Sequence, residues 1–435
     1  MNTYHLFING EPVHAGEFMP DREERENALV RLYPGETDQI WQGFGGAVTD
    51  SAGYVFSRMN GEQREQLLDA YFGRDGLGYS ILRVPVDSCD FSLEQYEAAP
   101  DGNPDHFDTE RPLRYILPLL EAIRARAPHI TLMLSPWSPP RLFKTNGKRH
   151  GGGKCRPECY GPWAEYICRY IREFTARGFT VSRLSLQNEP HAVQTWDSCV
   201  WTAQEERTFL VDYLKPALQR NGFADVQVFI WDHNKERVLD RALAVLDKKG
   251  RRAADGIAFH WYSGDHFDAL RRTHVRFPEK TLMLSENCIE YSKFGVADPA
   301  VPRGLIAHEI LGDLESGTAA FLDWNMVLDS RGGPNYVGNY CHAPLLFDER
   351  AGVLSRNSVY DALWHFARFI APGSRRILSS SFSCELETTA FAQPDGSLTL
   401  VLNNRGGAVK AGVTLGGQIA YISLPARSLA TLVIA

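Results

Sequence analysis

The stretch Ser185-Leu186-Gln187-Asn188-Glu189-Pro190 is an apolar run that ends in a carboxylate, and Leu282-Met283-Leu284-Ser285-Glu286-Asn287 repeats the pattern later in the chain. Each pattern predicts a β-strand that presents a glutamate at its C-terminal end. In a barrel of parallel strands, the C-terminal ends of all strands meet at one rim. Two glutamates at such a rim are what retaining hydrolysis of a sugar acetal needs, one as proton donor and one as nucleophile.

Around these two segments, short apolar runs alternate with stretches of helical periodicity, which is typical of parallel βα units. The helical periodicity predicts helices at residues 162–177, 203–220, 307–316 and 358–370. Eight strands are predicted, at residues 42–48, 79–86, 130–137, 182–189, 226–232, 256–262, 280–286 and 318–325. Eight strands close a (β/α)8 barrel, so the sequence predicts an α/β fold with a TIM barrel over residues 39–370.

The two ends of the chain have a different pattern, because they contain short strands and turns without helical periodicity. Strands are predicted at residues 3–8 and 28–33 before the barrel, and at 389–392, 398–402 and 429–434 after it. We therefore expect residues 1–38 and 371–435 to pair into a small β-sandwich at the side of the barrel.

Composition excludes several classes of partner. The net charge of −7 and the absence of a long basic run argue against nucleic acid. No apolar run approaches the roughly 20 residues of a membrane span, so stable membrane insertion is not expected. The N-terminus has no basic segment followed by an apolar one, which predicts a cytoplasmic protein. Eight scattered cysteines fit reduced thiols better than a disulfide framework.

The predicted strand ends carry carboxylates, amides and aromatic rings, which suits a pyranose ring. Aromatic faces can cover the C–H surface of a sugar, while carboxylates and amides bind its hydroxyl groups. Core packing alone does not explain why so many polar and aromatic residues are predicted at one rim of the barrel. The strand-end residues are Asp50, Asp87, Asp90, Trp137, Asn188, Glu189, Trp231, Asp232, His233, His260, Trp261, Tyr262, Glu286, Asn287, Asp323, Trp324 and Asn325.

The two glutamates need different roles. Asn188, directly before Glu189, can place its amide on the sugar 2-hydroxyl, a contact that strengthens in the transition state. We therefore assign Glu189 as general acid/base, which requires a raised pKa. Glu286 is then the nucleophile, kept ionised by donors such as the Tyr262 hydroxyl.

Two other classes of protein compete with this interpretation. A sugar-binding protein on a catalytically dead scaffold would not need both glutamates. A metal-dependent barrel hydrolase would draw on Asp232, His233 and His260, although such histidines in sugar sites more often bond hydroxyls or carboxylates. A zinc site at Cys155 and Cys159 would lack its second pair of ligands. We predict neither a metal nor a cofactor.

Taken together, these motifs resemble glycoside hydrolase family 30, the glucosylceramidase-like barrel enzymes, over nearly the whole chain. The resemblance is carried by Gly43-Phe44-Gly45-Gly46-Ala47-Val48-Thr49-Asp50, Leu82-Arg83-Val84-Pro85, Ser88-Cys89-Asp90-Phe91-Ser92, Ser135-Pro136-Trp137-Ser138-Pro139-Pro140, Lys144-Thr145-Asn146-Gly147, Gln187-Asn188-Glu189-Pro190, His260-Trp261-Tyr262, Ser285-Glu286, Asp323-Trp324-Asn325 and Gly332-Gly333-Pro334-Asn335.

The resemblance implies Glu189 as acid/base and Glu286 as nucleophile, acting on a β-linked glycoside. It places Asp50, Trp137, Asn188, Trp324 and Asn339 around the terminal sugar, with His260 and Tyr262 beside them. An exo-acting β-glucosidase similar to glucosylceramidase is the leading expectation. Relatives that act on β-1,6-glucan, β-xylosides or β-fucosides share the pattern.

The loops on the leaving-group side are not determined by the resemblance. They comprise residues 148–161, which include three consecutive glycines, and residues 194–199. Loops of this kind decide which leaving group is accepted. Trp196 and Trp201 either form a stacking platform there or pack the rim, and the sequence does not distinguish the two. Retention predicts carboxyl groups about 5 to 5.5 Å apart.

Overall fold

The computed structural model describes residues 1–23, 28–103, 106–294 and 300–435, and its central feature is a closed barrel of parallel strands. Four strands precede the barrel: β1 Thr3–Ile8, β2 Glu11–Glu17, β3 Met19–Pro20 and β4 Leu29–Ile40. The barrel strands are β5 Gly43–Ala47, β6 Ile81–Val86, β7 Thr131–Pro136, β8 Thr180–Ser185, β9 Gln227–Asn234, β10 Gly256–His260, β11 Thr281–Glu286 and β12 Thr318–Asn325. Three short strands follow: β13 Val327–Asp329, β14 Leu345–Asp348 and β15 Val353–Arg356. The last six are β16 Arg375–Ser381, β17 Leu386–Ala392, β18 Leu398–Asn404, β19 Val409–Leu415, β20 Gln418–Leu424 and β21 Ser428–Ile434.

The predicted TIM barrel is confirmed. Its strands β5 to β12 pair in sequence order around the barrel, and β12 pairs with β5 to close it. Each predicted strand overlaps one barrel strand, and their ends differ by four residues at most. The largest difference concerns β8, which ends at Ser185 rather than at Glu189. Glu189 lies in the following turn with φ of 46°, a left-handed conformation outside the range of regular strand residues.

Helices α1 to α12 connect the barrel strands, and α13 follows the barrel. They are α1 Asp50–Ser57, α2 Gly61–Phe72, α3 Glu110–Leu113, α4 Ile116–Arg126, α5 Tyr160–Ala176, α6 Ala203–Thr208, α7 Lys215–Arg220, α8 Val238–Val245, α9 Gly250–Ala253, α10 Phe267–Arg276, α11 Tyr291–Phe294, α12 Ala300–Leu314 and α13 Ser358–Ala367. Short 3-10 turns cover Arg141–Phe143, Pro157–Cys159 and Lys235–Arg237.

The helix predicted at residues 203–220 is helical throughout but not regular. A π-helical turn, Phe209–Leu214, separates α6 from α7. Pro216 follows this turn and has no N–H to donate to the carbonyl four residues earlier, which accounts for the irregularity. The predicted capping box at Thr202 and Glu205 is confirmed, because each side chain accepts a hydrogen bond from the other residue's backbone N–H. Helix α12 begins at Ala300, earlier than predicted, since Pro302 is compatible with a first helical turn.

Two layers of side chains fill the barrel. The lower layer is apolar and consists of Ile81, Met133, Phe229, Ala258, Met283, Ala320 and Leu322, all buried. Residues two positions further along a strand point to the same side. The next inward positions are therefore Arg83 on β6, Ser135 on β7, His260 on β10 and Ser285 on β11. The apolar layer thus seals the bottom of a polar site that opens at the C-terminal rim.

Strand β9 departs from this simple alternation. The pairing of β9 with β10 shifts between Ala258, opposite Trp231, and Phe259, opposite His233, so Asp232 is an extra residue. Trp231 and Asp232 both have positive φ, 74° and 50°. Bulges of this kind often occur next to active sites, where they change the direction in which a side chain points. Here the bulge turns the Asp232 carboxylate into the barrel, where it enters the polar layer.

The predicted β-sandwich is confirmed as a structure built from both ends of the chain. Ten strands form one sheet in the order β2-β1-β21-β18-β17-β16-β4-β19-β20-β3. Side chains from both ends of this order share one apolar core, including Leu6, Leu432, Val413 and Ile422, so the sheet folds over on itself. Strands β2, β3, β16, β19 and β20 were not predicted.

Candidate active site

A cavity of about 190 Å³ lies at the C-terminal ends of the barrel strands. The structure brings most of the predicted site residues together here. Those that line the cavity are Trp137, Asn188, Glu189, Tyr262, Glu286, Trp324 and Asn339. His260 is completely buried directly behind the wall and contacts both glutamates.

Asp50 is the exception and corrects the assignment that the resemblance implied. Its buried carboxylate accepts two hydrogen bonds from Arg111 and one from the Leu93 backbone N–H, each at 3.0 Å, and it does not line the cavity. Asp90 lines the cavity instead, and its Oδ2 lies 3.5 Å from Asn339 Nδ2. Both aspartates stand in strand-end motifs, so only the three-dimensional arrangement separates the structural one from the one that faces the cavity.

Glu286 ends β11 and is 7% exposed. Its Oε2 accepts a hydrogen bond from Arg83 Nη1, and its Oε1 accepts one from the Tyr262 hydroxyl at 3.0 Å. The predicted contact between Tyr262 and Glu286 is therefore present. These two donors act on different oxygens, so the carboxylate plane is fixed with respect to the cavity.

Glu189 is held in a strained turn after β8. Its backbone N–H donates to the Asp232 carbonyl at 2.9 Å, and the preceding Asn188 N–H donates to the Pro136 carbonyl at 2.8 Å. A non-glycine residue at positive φ costs free energy and persists where its surroundings enforce it, commonly at functional sites. These two backbone hydrogen bonds to neighbouring strands hold Glu189 at its positive φ and direct its side chain into the cavity.

His260 connects the two glutamates. Its Nδ1 lies 3.2 Å from Glu189 Oε1 and 4.0 Å from Glu286 Oε1. Because these distances add to 7.2 Å, the two carboxylate oxygens are at most 7.2 Å apart. The Nε2 atom of His260 lies 3.1 Å from Asp232 Oδ1.

Sequence reasoning did not single out Arg83 or identify what Asp232 does. Arg83 Nη2 donates to Asp232 Oδ2 at 2.9 Å, to Asn188 Oδ1 at 2.8 Å and to Ser135 Oγ at 3.0 Å. Asp232 also accepts hydrogen bonds from the hydroxyls of Ser135, Ser185 and Ser285. Asp232 is thus the centre of a network that reaches Glu286 through Arg83 and Glu189 through His260.

These contacts set the protonation of the network. Burial raises the pKa of Asp232, but the charge on Arg83 and the hydrogen bond with His260 outweigh it and hold that pKa far below its ordinary value. Burial lowers the pKa of His260, but the charge on Glu286 and the hydrogen bonds with Asp232 and Glu189 raise it to about 9. His260 is therefore an imidazolium near neutral pH, with a carboxylate at each nitrogen.

The two glutamates titrate as an interacting pair. Burial raises the pKa of Glu189, but the hydrogen bond from His260 and the charge on His233 outweigh it, so the net shift is downward. Burial also raises the pKa of Glu286 and, with the negative charge of Glu189, exceeds the lowering by His260 and Arg83. The sequence led us to expect a raised pKa for Glu189 and an ionised Glu286. The two shifts have the opposite directions, because His260 makes its closer contact with Glu189.

Aromatic rings form one wall of the cavity. Trp137 and Trp324 stack with ring centroids 5.3 Å apart and an interplanar angle of 22°. The Arg83 guanidinium lies over both rings, 4.8 Å and 5.4 Å from their centroids. Trp196 also lines the cavity, whereas Trp201 is buried and stacks on Tyr160 in the core. The sequence did not distinguish a stacking platform from rim packing for these two residues, and the structure places Trp196 at the cavity and Trp201 in the core.

No group of three or more His, Cys, Asp or Glu side chains that could hold a metal ion occurs among the described residues. Cys155 and Cys159 are both buried in the loop before α5. No helix in the described part of the chain has the length and apolar character needed to cross a membrane.

The arrangement of a buried and a partly buried glutamate above a polar barrel layer agrees with comparisons to known proteins. Residues 41–370 match the family model described as the glycosyl hydrolase family 30 TIM-barrel domain, and residues 373–432 match the family 30 beta sandwich domain. The chain belongs to glycosyl hydrolase family 30. This family 30 protein is accordingly a glycosidase, as the sequence predicts.

Relatives of this glycosidase differ in the activities that their names state. It is 32% identical to the lysosomal acid glucosylceramidase of Mus musculus over 87% of this chain and 77% of that protein. It is 25% identical to an endo-1,6-beta-D-glucanase of Neurospora crassa over 98% of this chain and 89% of that protein. The solved structure of SrfJ from Salmonella typhimurium has a TM-score of 0.95 at 36% identity and covers 99% of both chains.

Proposed function

We propose that this glycosidase is an exo-acting, retaining β-glucosidase with Glu286 as nucleophile and Glu189 as general acid/base. The observation that carries the proposal is the bound of 7.2 Å between the two carboxylate oxygens on His260. Inverting enzymes separate their carboxyl groups by about 6.5 to 9.5 Å to leave room for a water molecule, and retaining enzymes by about 5 to 5.5 Å. The bound on these two oxygens favours the shorter separation of a retaining enzyme.

Each step has a residue to perform it. A Glu286 oxygen forms a bond to the anomeric carbon while the bond to the leaving oxygen breaks, and Glu189 gives that oxygen a proton. Glu189 then takes a proton from water, whose oxygen bonds to the anomeric carbon and displaces Glu286. One water is consumed, and the sugar leaves with its original anomeric configuration.

The proton for the first step is shared between His260 and Glu189. In the resting state it lies on the imidazolium, since the pKa of Glu189 is lowered and that of His260 is raised to about 9. Transfer from Nδ1 to Oε1 along the 3.2 Å contact converts Glu189 into the neutral acid that the reaction requires. Arg83 meanwhile fixes Glu286 and the Asn188 amide in one geometry.

The choice of glucose and of exo action rests on two further observations. The glucosylceramidase relative supports glucose as the bound sugar. The cavity of about 190 Å³ is smaller than the pockets of roughly 300 Å³ or more that hold drug-sized ligands, which favours a site for one terminal sugar. The glucanase relative makes β-1,6-glucan the second candidate substrate.

The test uses 4-nitrophenyl β-glucoside. With Glu286→Gln we expect kcat to fall by at least about 10³-fold, because the nucleophile is lost. Glu279→Gln, which removes a surface carboxylate paired with Arg251, should leave kcat unchanged. Proton NMR of the wild-type reaction should detect the β-anomer as the first product. Initial release of the α-anomer, or full activity of Glu286→Gln, would refute the mechanism.

A further inference from the structure

The turn that carries Glu189 and the bulge that carries Asp232 are joined to each other, because the Glu189 N–H donates to the Asp232 carbonyl at 2.9 Å. Glu189, Trp231 and Asp232 all have positive φ, 46°, 74° and 50°. Non-glycine residues keep such conformations only where their surroundings enforce them. The pairing of β9 with β10 is shifted at this point, so the bulge needs support from outside the barrel.

A buried ion pair behind the barrel gives this support. Glu206 on α6 is completely buried, and Arg241 on α8 is 4% exposed. Glu206 Oε2 accepts a hydrogen bond from Arg241 Nε, and Glu206 Oε1 accepts one from the Trp231 backbone N–H at 2.8 Å. The Arg241 guanidinium also lies over the Trp231 ring, 5.3 Å from its centroid. The pair therefore holds both the backbone and the side chain of the residue that precedes Asp232.

Arg241 reaches the Glu189 turn as well. Its Nη1 donates to His191 Nε2 at 2.9 Å, and its Nη2 donates to the Trp201 carbonyl at 2.9 Å. The Trp201 N–H in turn donates to the carbonyl of Pro190, which directly follows Glu189, at 2.8 Å. Burial and the charge on Arg241 lower the pKa of His191 to about 4, so its neutral imidazole can accept the hydrogen bond at pH 7. One guanidinium thus anchors the turn at two places.

We propose that Glu206 and Arg241 are positioning residues for the proton-donating side of the site. Neither lines the cavity, so they act through the backbone that carries Glu189 and Asp232. Glu286 ends a different strand and has its own donors on Arg83 and Tyr262. Loss of the ion pair should therefore impair protonation of the leaving oxygen more than nucleophilic attack. This inference rests on the proposed role of Glu189 as general acid.

Two aryl glucosides separate protonation from attack in the full-length protein. Phenolate is a poor leaving group, because phenols have a pKa of about 10, so cleavage of phenyl β-glucoside depends on the proton from Glu189. The two nitro groups of 2,4-dinitrophenolate stabilise its charge, and it leaves without a proton. The kcat/KM for 2,4-dinitrophenyl β-glucoside therefore measures attack by Glu286.

Both charges are replaced together, since removing one would leave the other buried and unpaired. Glu206→Gln with Arg241→Met keeps an acceptor for the Trp231 N–H, whereas Glu206→Leu with Arg241→Met has none. We expect kcat/KM for phenyl β-glucoside to be at least about tenfold lower in the Leu double variant than in the Gln double variant, because a displacement of about 1 Å can cost about 100-fold. For the dinitrophenyl glucoside the two should differ less than about threefold, which also shows that both are folded.

His191→Ala tests the contact with the turn at an exposed position, so folding should be unaffected. It should lower kcat/KM for phenyl β-glucoside about threefold, the value of one hydrogen bond, and leave the dinitrophenyl glucoside unchanged. If the Leu double variant does not fold, this ratio decides. Arg207→Met is the control, since it removes only the neighbouring ion pair with Asp247 and should affect neither substrate.

Equal losses on the two substrates would overturn the inference, because they would show a general structural role for the ion pair. Unchanged cleavage of phenyl β-glucoside in the Leu double variant and in His191→Ala would overturn it as well. Absence of wild-type activity on the dinitrophenyl glucoside would instead refute the proposed function, so the two failures are distinguishable.

Discussion

Replacing Asp232 with Asn should weaken both the fold and the catalytic pair. Asp232 is completely buried and accepts hydrogen bonds from Arg83 at 2.9 Å and from His260 at 3.1 Å. Asn has a similar shape but no charge, and its amide NH2 group would face donors instead of accepting from them. The variant therefore leaves two buried cations without the carboxylate that they share.

Removing one partner from a buried ion pair costs about 3 to 5 kcal/mol. Arg83 retains its contact with Glu286, so we expect the lower end, about 3 kcal/mol of the free energy of unfolding. The pKa of His260 should also fall from about 9 toward its ordinary value. A raised pKa in the folded state stabilises below the unfolded value of about 6.5 and loses that effect as pH rises through about 9. In Asp232→Asn, the stabilisation contributed by protonated His260 should therefore be lost at a lower pH than in the wild type.

Urea unfolding at pH 7 measures the first effect, and the pH profile of kcat/KM with 4-nitrophenyl β-glucoside measures the second. The alkaline limb of the profile should move to lower pH. Asp323→Asn is a matched control: Asp323 is likewise buried at the end of a barrel strand, and burial raises its pKa well above the ordinary value, but the substitution there removes no hydrogen-bond partner of Arg83 or His260. A loss below about 1 kcal/mol in Asp232→Asn together with an unchanged alkaline limb would refute the reasoning.

Two further predictions concern stability. Lys235 is completely buried between Glu309 and Asp313, so Lys235→Met should lower the free energy of unfolding by about 3 kcal/mol at pH 7 and by less at pH 5, where the carboxyls take up protons; equal losses in urea at both pH values would contradict the ion-pair explanation. At Gly45 a Cβ would lie 1.9 Å from a backbone carbonyl of the adjacent strand, so Gly45→Ala should cost at least about 1 to 3 kcal/mol. Gly61→Ala, where nothing lies within 4 Å, should stay within about 0.5 kcal/mol, and similar thermal unfolding of both variants would count against the packing argument.

The barrel could be predicted from sequence because each buried strand is an apolar run with a polar or aromatic end. The sandwich was less predictable, since strand β2 is mostly exposed and lacks the alternation that marks a half-buried strand. The residues that line the cavity were largely identified, because motifs place Glu189, Glu286, Trp137 and Trp324 at strand ends.

The network behind the cavity was beyond sequence reasoning for a physical reason. Arg83 and Asp232 are 149 positions apart and meet only because the barrel closes. Asp232 points inward because of a bulge, and simple alternation along β9 from Phe229 would have placed Trp231 there. The pKa order of the two glutamates likewise depends on which of them His260 approaches more closely. Asp50 and Asp90 could not be separated without knowing that Arg111 binds the former.

The place of β1 in the sandwich has a consequence for how the chain folds during synthesis. Tyr4 on β1 pairs with Ile434 on β21, and the backbone of Thr3 exchanges two hydrogen bonds with Ala435. Strand β1 therefore waits for β21, which is synthesised much later, before the edge that pairs with β21 is satisfied. Contacts this distant in sequence slow folding and leave strand edges open to wrong partners in the meantime. The barrel segment is translated earlier, so the barrel has time to form first and offer β1 and β21 a surface on which to meet.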